Sequence, residues 1–279
     1  MNTSFISSQL ELLQKSVESL TSSKEYQQFL KTMSRFPSYS PRNQLLIFAQ
    51  KPDSTLVAGF CAWRDQFGRH VKKGEKGIRI LAPYTFSKEV CKNGVTRKEK
   101  RTGFRSIKVF DISQTEGKPL PVLPPVLPLE GECENLPKLS QALEDLNGYQ
   151  IVWSNLQDSN GVCSYDKHQI QLNNELSTAH QFKCLLHETA HALLHDPDQL
   201  GESEMEQKLL LDRSLREIEA ESTSFVVASA LGVDCSSFSF PYIAQWKLDT
   251  QFVQESIPRI SSVSARMIQV LEPLISNPA

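Results

Sequence analysis

Residues 117–128 contain five prolines, which no α-helix or central β-strand can accommodate. Proline lacks the backbone N–H and restricts the residue before it, so regular structure has to end on either side. Such a stretch is typical of a semi-rigid spacer, or of a clamp that runs over the protein surface. Because 279 residues also suit two modest domains, we predict domains at 1–116 and 136–279, joined by a linker at 117–135.

Charge is distributed unevenly between these two predicted domains. Residues 1–115 hold 20 Lys and Arg against 9 Asp and Glu, although the net charge of the whole chain is only -2. Such asymmetry indicates a basic module that meets a polyanion and an acidic module with a different task. A basic surface that is simply solvated is the alternative.

The first twenty residues have neither the apolar run of a membrane span nor the leader of a secreted protein. We therefore expect a cytoplasmic protein with no membrane partner. The six cysteines lie far apart without a C-x-x-C pair, which indicates reduced thiols and not a zinc ribbon or a disulfide framework.

The spacing of apolar residues predicts an α+β chain. The first half is expected to contain helices from Ser22 and over 43–50, then strands over 56–60, 77–82 and 104–112, with Asn93-Gly94 as a hairpin turn. The second half is expected to contain a helix over 138–146, strands over 149–153 and 167–172, and long helices over 178–195 and 203–231.

The helix predicted over 178–195 contains an H-E-x-x-H motif formed by His187, Glu188 and His191. Residues four apart lie on one helical face, so the two imidazoles can share a zinc ion while Glu188 reaches a water at the metal. We predict His187 and His191 as zinc ligands and Glu188 as the catalytic residue. The alternative is an ordinary helix with histidines at a solvent edge.

A catalytic zinc site needs a third protein ligand, for which the segment Glu-Ile-Glu-Ala-Glu in the following helix is the best source. Glu217 and Glu221 share one face, whereas Glu219 points elsewhere. We predict Glu217 as the ligand and Glu221 as a carboxylate that orients a ligating histidine. Glu221 as the ligand and a solvated acidic face are the alternatives. We interpret His195 as a histidine of the helix end.

The H-E-T-A-H and E-I-E-A-E segments together resemble the ImmA/IrrE group of metallopeptidases, which are gluzincin-like. The resemblance implies a zincin-like fold over 136–279, with Glu217 as the third zinc ligand and Glu188 as the base that activates water. The strand within 165–173 also resembles the edge strand of that group, along which a peptide substrate would lie extended.

The first half contains blocks that resemble the N-terminal domain of ArdC-type antirestriction proteins. These blocks are 39–47, 57–63, 71–78, 81–83 and 109–117. The resemblance implies single-stranded DNA binding, in proteins of plasmids and other conjugative elements that protect incoming DNA from restriction.

Several residues of this half have suitable chemistry for DNA. Lysines in the turn 72–77 offer ammonium groups to phosphates, and Trp63 either stacks on a base or belongs to the core. At the start of a helix, Arg42 and Asn43 contact a phosphate or cap the turn. The predicted DNA-binding residues are Arg42, Asn43, Trp63, Arg69, Lys72, Lys73 and Lys76.

The two halves together suggest a zinc metallopeptidase that binds single-stranded DNA, protects incoming DNA from restriction and cleaves DNA-associated proteins. The sequence does not identify its protein substrate. One alternative is a non-catalytic protein that coats DNA and uses the metal only to brace its fold. The other is a regulator that cleaves a repressor of its own mobile element.

Overall fold

The computed structural model describes residues 11–12, 15, 17–92, 95–120, 127–128, 132–133, 135–201, 207, 212–236, 239 and 250–276. Contacts divide the chain into two compact units. Unit 1 contains the described residues up to 15 and from 42 to 120, and unit 2 contains those from 17 to 41 and from 127 onward. The functional domain limits 1–116, 117–135 and 136–279 stay a prediction.

The helices and strands confirm an α+β chain. In chain order they are α1 (Ser23–Arg35), α2 (Pro41–Gln50), β1 (Val57–Gly59), α3 (Phe60–Asp65), β2 (Arg69–Val71), β3 (Ile78–Lys92), β4 (Val95–Asp111), β5 (Thr115–Gly117), β6 (Leu127–Pro128), α4 (Leu136–Asn147), β7 (Gln150–Ser154), β8 (Gly161–Ser164), β9 (Gln169–Asn173), α5 (Thr178–His195), α6 (Arg213–Ala230), β10 (Val233–Asp234) and α7 (Thr250–Ser276). None of the helices described is long and apolar enough to cross a bilayer.

Unit 1 is built around a three-stranded antiparallel sheet with the order β1-β4-β3. The strands β3 and β4 are much longer than the sequence predicts, 15 and 17 residues, and form one extended hairpin whose predicted turn at 93–94 lies outside the described residues. At the base of this hairpin, the side chains of Ile78, Ile80 and Val109 are buried. Beyond Ile80 the same face of the hairpin becomes exposed.

The outer strand β3 is completed by two side-chain amides of α2. Asn43 donates to the carbonyl of Leu81 and accepts from its N–H, both at 2.9 Å. Gln50 does the same to Arg79, at 2.9 and 3.0 Å. Because unpaired backbone groups at a sheet edge invite association, these amides both fix the helix and protect this part of the edge.

Unit 2 contains a second sheet with the order β7-β9-β8, in which β9 pairs parallel to β7 and antiparallel to β8. β9 corresponds to the strand predicted over 167–172, but it is central, so the expectation of an edge strand within 165–173 was wrong. Among the described strands β8 pairs only with β9, so it lies at an edge of this sheet. Its four residues, from Gly161 to Ser164, were not among the strands predicted from the sequence.

In unit 2, α6 packs against three other helices, α5, α1 and α7. Tyr26 of α1 is fully buried, and its hydroxyl lies 3.1 Å from that of Ser222. This packing explains why residues 17–41 group with unit 2. The helix predicted over 203–231 begins at Arg213 in the structure, and residues 202–206 and 208–211 lie outside the described residues. The sequence did not predict α7.

Candidate metal centre

The helix α5 is fixed at its start and along one face. The Ser177 hydroxyl accepts the N–H of His180, which caps the helix, and Phe182, Leu185 and Leu186 are buried. This apolar face holds α5 in the core, where His191 and Glu188 are also buried. The motif is therefore not on an exposed helix edge.

The partner helix α6 is capped by Asp212, whose carboxylate accepts the N–H groups of Ser214 and Leu215. From Ile218 to Ala228 every residue of α6 is buried. Glu217 and Glu221 both line the cleft next to α5. The packing of α5 on α6 therefore brings the two predicted motifs together.

Three ligand atoms converge in this cleft. Nε2 of His187 lies 3.1 Å from Nε2 of His191 and 3.3 Å from Oε2 of Glu217, and the remaining separation is 3.6 Å. Four ligands placed tetrahedrally about 2.0–2.1 Å from a zinc ion are about 3.3–3.4 Å apart. Among the described residues, His187, His191 and Glu217 form a group of side chains that could hold a metal ion.

The charges of this group favour a cation. Burial opposes a charge on His187, but contacts with Glu217 and Glu221 outweigh it and raise the pKa of His187 to about 9. Burial also opposes the charge of Glu217, yet His187 and His191 hold the pKa of that carboxyl below its ordinary value. The two carboxylates therefore surround His187 with negative charge, which favours a positively charged partner in the cleft.

Glu221 lies behind His187. Its Oε2 accepts a hydrogen bond from the Lys183 ammonium at 3.0 Å. The same oxygen lies 3.0 Å from Nδ1 of His187, although these two atoms are not aligned as a hydrogen bond. Burial opposes its charge, but His187 and Lys183 lower the pKa of Glu221 to about 2. Glu221 is thus an anion against the side of His187 that faces away from Glu217.

Glu188 lies between α5 and β8. Burial raises the pKa of its carboxyl, which His187 and His191 partly oppose. Gly161 of β8 leaves space for it, because a Cβ at this position would lie 2.8 Å from Cγ of Glu188. The cleft that they line has a volume of about 490 Å³ and also includes Asn160, Val162, Tyr165 and Arg216.

His195 and Glu219 form a contact that sequence reasoning missed. Both side chains are completely buried, and Nε2 of His195 lies 3.0 Å from the Glu219 carboxylate. Burial lowers the pKa of His195 to about 4, against the opposing effect of Glu219. Helical spacing was the signal in the sequence that could have indicated this contact. It places His195 one turn after His191 and directs Glu219 away from Glu217.

The predicted DNA-binding residues have different environments. Trp63 is fully buried and donates its indole N–H to the carbonyl of Phe110, so the structure shows the core role and leaves no free ring face for a base. The Arg69 guanidinium donates to Thr115 and to the carbonyls of Gly117 and Lys118.

The remaining predicted positions are more accessible, with one exception. The Asn43 amide is hydrogen-bonded to the backbone of Leu81 at the edge of β3. Lys72 donates to the carbonyl of Ser113 at the surface. Arg42, Lys73 and Lys76 are exposed.

Exposed aromatic rings lie on the β3–β4 hairpin, where the sequence analysis did not place them. The rings of Tyr84 and Phe86 are 5.7 Å apart, and both side chains are about 40% exposed. Tyr84 lies across Gly103, whose Cβ would come within 2.8 Å of the ring. Arg101 and Arg105 are exposed and belong to the same face, because they pair with Phe86 and Ala82.

Fold and site together define a two-unit α+β protein with a histidine–carboxylate group suited to a divalent metal ion. Residues 3–112 match the family described as the N-terminal domain of anti-restriction factor ArdC. An uncharacterized protein of Bacillus anthracis is 30% identical in an alignment of 288 positions, which covers 88% of this chain and 47% of that protein. The chain thus spans about half the length of this relative.

One solved structure shows the same type of fold. The metal-free crystal structure of the antirestriction ArdC protein from plasmid R388 superposes with a TM-score of 0.52 and 19% identity, over 83% of this chain and 84% of that chain. For the Mn(II)-bound structure of that protein the TM-score is 0.49, at 19% identity over 86% of both chains. The resemblance of the first half to ArdC is confirmed, whereas the resemblance to ImmA/IrrE metallopeptidases stays a prediction.

Proposed function

We propose that this protein is a zinc-dependent metallopeptidase of a mobile genetic element that binds single-stranded DNA and acts in antirestriction. The observation that carries the proposal is the convergence of His187, His191 and Glu217 at mutual distances of 3.1 to 3.6 Å, next to the buried Glu188. The match of residues 3–112 to the anti-restriction factor ArdC supports the role in protecting DNA.

The donor set fits zinc. Two imidazole nitrogens and one carboxylate oxygen are ligands of catalytic zinc sites, which keep a fourth position open. His187, His191 and Glu217 would hold the ion, and the cleft leaves one side of the group accessible. A bound zinc ion would supply Lewis-acid polarisation of a peptide carbonyl.

Glu188 is the group that would move protons. Its carboxylate lines the cleft, and Glu188 is not one of the three side chains that would hold the ion. It can accept a proton from an attacking water and deliver it to the leaving amine nitrogen. This is the role that the sequence analysis predicts for it.

The free edge of β8 gives a peptide substrate a place to bind. β8 pairs only with β9 among the described strands, and it borders the cleft through Gly161, Val162 and Cys163. An extended peptide can add to such an edge through backbone hydrogen bonds. Val162, which is 42% exposed, would then contact the side chains of the peptide.

The β3–β4 hairpin supports binding of single-stranded DNA. Residues 79–108 contain nine Lys and Arg against two Asp and Glu, which suits a phosphate backbone. Tyr84 and Phe86 offer exposed rings on the same face as Arg101 and Arg105. Aromatic rings interleaved with cations are the usual surface for unpaired bases.

Hydrolysis of an unfolded protein such as casein by the zinc-loaded chain, with and without single-stranded DNA, tests the enzymatic part. We expect cleavage by the wild type, no cleavage by Glu188→Gln, and full activity for Glu175→Gln, a surface control. Equal cleavage by wild type and Glu188→Gln would refute the assignment of Glu188.

A non-catalytic DNA-coating protein is the second candidate, and the exposed hairpin favours it. Protection of incoming DNA from restriction in cells separates the two. The coating function would be supported if Glu188→Gln kept protection and replacement of Tyr84 and Phe86 by alanine abolished it. The opposite pattern would support the peptidase.

A further inference from the structure

A chain of polar side chains extends from the candidate metal centre into the core of unit 2, and its two histidines and Glu219 are buried. Nδ1 of His191 lies 3.0 Å from Nδ1 of His195, and Nε2 of His195 lies 3.0 Å from Oε2 of Glu219. The other oxygen of Glu219 accepts from Nε of Arg259 at 3.3 Å. Arg259 also donates to the carbonyl of Leu194 on α5.

The chemistry of Glu219 determines the direction of these hydrogen bonds. An ionised carboxylate can only accept, so Nε2 of His195 has to carry a hydrogen. In the neutral imidazole Nδ1 of His195 is then an acceptor, and it has to accept the Nδ1–H of His191. The remaining nitrogen of His191, Nε2, therefore has no hydrogen and keeps its lone pair.

This free nitrogen points into the ligand triangle. Nε2 of His191 lies 3.1 Å from Nε2 of His187 and 3.6 Å from the carboxylate of Glu217. Arg259 balances the charge of Glu219, so a neutral His195 leaves no uncompensated charge in the core. If these hydrogen bonds had the opposite direction, the lone pair of Nε2 of His195 would face the Glu219 carboxylate, and the two would repel each other.

We propose that His195 and Glu219 are positioning residues that hold His191 in the tautomer whose Nε2 is free to bind a metal ion. The inference rests on the metal site of the proposed function, but the hydrogen-bond direction exists without metal. It gives each histidine of the motif a carboxylate behind it: Glu221 faces Nδ1 of His187, and Glu219 acts on His191 through His195.

The alternative for His195 and Glu219 is a buried pair that only stabilises the packing of α5 on α6. Both roles predict a less stable protein after substitution, because a buried polar partner would be left unsatisfied. The two roles differ in what happens to the His191 ring. Only a positioning role changes its tautomer and the affinity for metal beyond the loss of stability.

The tautomer can be measured directly on the metal-free protein. Long-range ¹H–¹⁵N NMR correlations of ¹⁵N-labelled histidines distinguish Nδ1–H from Nε2–H rings. We expect His191 as the Nδ1–H tautomer and His195 as the Nε2–H tautomer. In Glu219→Gln, both tautomers of His191 and of His195 should be populated, since an amide can donate as well as accept. An Nε2–H tautomer of His191 in the wild type would overturn the proposal.

Zinc affinity, measured by competition with a chelator, tests the consequence. We expect His195→Leu to bind zinc about 10- to 100-fold more weakly, the usual effect of losing a hydrogen-bond partner behind a ligand. His195→Gln should recover most of the affinity, because its amide has both an acceptor and a donor. Val227→Ala, a cavity variant in the buried part of α6, is the matched control for lost stability.

Each result decides between the two roles. Wild-type affinity in His195→Leu, or an equal loss in Val227→Ala at comparable stability, would overturn the positioning role. If the wild type bound no zinc at all, the proposed function would fail. The NMR measurement on the metal-free protein would still decide the inference about His191.

Discussion

Replacing Gly161 by alanine should displace Glu188 without unfolding the protein. A Cβ at this position would lie 2.8 Å from Cγ, 2.9 Å from Oε1 and 3.2 Å from Cδ of Glu188. Ordinary carbon contacts begin near about 3.5 Å, so the carboxylate has to move by roughly 0.5–1 Å. A misplacement of this size costs up to about 100-fold in rate, and we expect a 10- to 100-fold lower kcat.

The stability of this variant should change little. Gly161 lacks a positive φ, so alanine fits its backbone and restricts the unfolded chain, which stabilises proteins by about 0.4–1 kcal/mol. That gain offsets the cost of moving Glu188. Thermal unfolding and zinc content should therefore stay near the wild type while casein hydrolysis falls.

A matched control is Gly59→Ala, where the new methyl group meets nothing within 4 Å. It should keep wild-type hydrolysis. Wild-type kcat in Gly161→Ala, with zinc bound and the fold intact, would refute the reasoning that the position of Glu188 limits catalysis.

Three further predictions concern unit 1. Tyr84→Ala should weaken single-stranded DNA binding by about 1–3 kcal/mol in a fluorescence-anisotropy titration, since one stacked base is lost; unchanged affinity would exclude the ring from the interface. Trp63→Phe should lower the free energy of unfolding by about 1–3 kcal/mol, because the carbonyl of Phe110 loses its donor, while DNA affinity of the folded protein stays the same. Asn43→Ala should lower the free energy of unfolding, measured by urea denaturation, by a similar amount, because both backbone groups of Leu81 lose their partner. An unchanged free energy of unfolding would show that water replaces the amide.

The convergence of His187, His191 and Glu217 was predictable because helical periodicity is a strong signal. The i, i+4 spacing predicts that His187 and His191 share a face, and the rotation between Glu217 and Glu219 predicts that they face different surroundings. The structure places them in this way. The burial of His195 was not predicted, since a histidine at a helix end looks like a polar terminus until the packing of α6 is known.

The remaining differences have equally specific causes. β8 has only four residues and begins at Gly161, so no alternating pattern was long enough to indicate a strand. The length of β3 and β4 was underestimated because their outer parts are basic and exposed, whereas strand prediction follows apolar residues. Trp63 could be assigned to the core only once its hydrogen bond to Phe110 was known.

The most direct test of the central claim is the metal content of purified wild type, Glu217→Ala and Glu221→Ala, measured by mass spectrometry for zinc and manganese. We expect about one zinc per wild-type chain, loss of the metal in Glu217→Ala and only weaker retention in Glu221→Ala. A wild-type protein that binds no zinc after reconstitution, or a Glu217→Ala variant that keeps a full equivalent, would contradict the account.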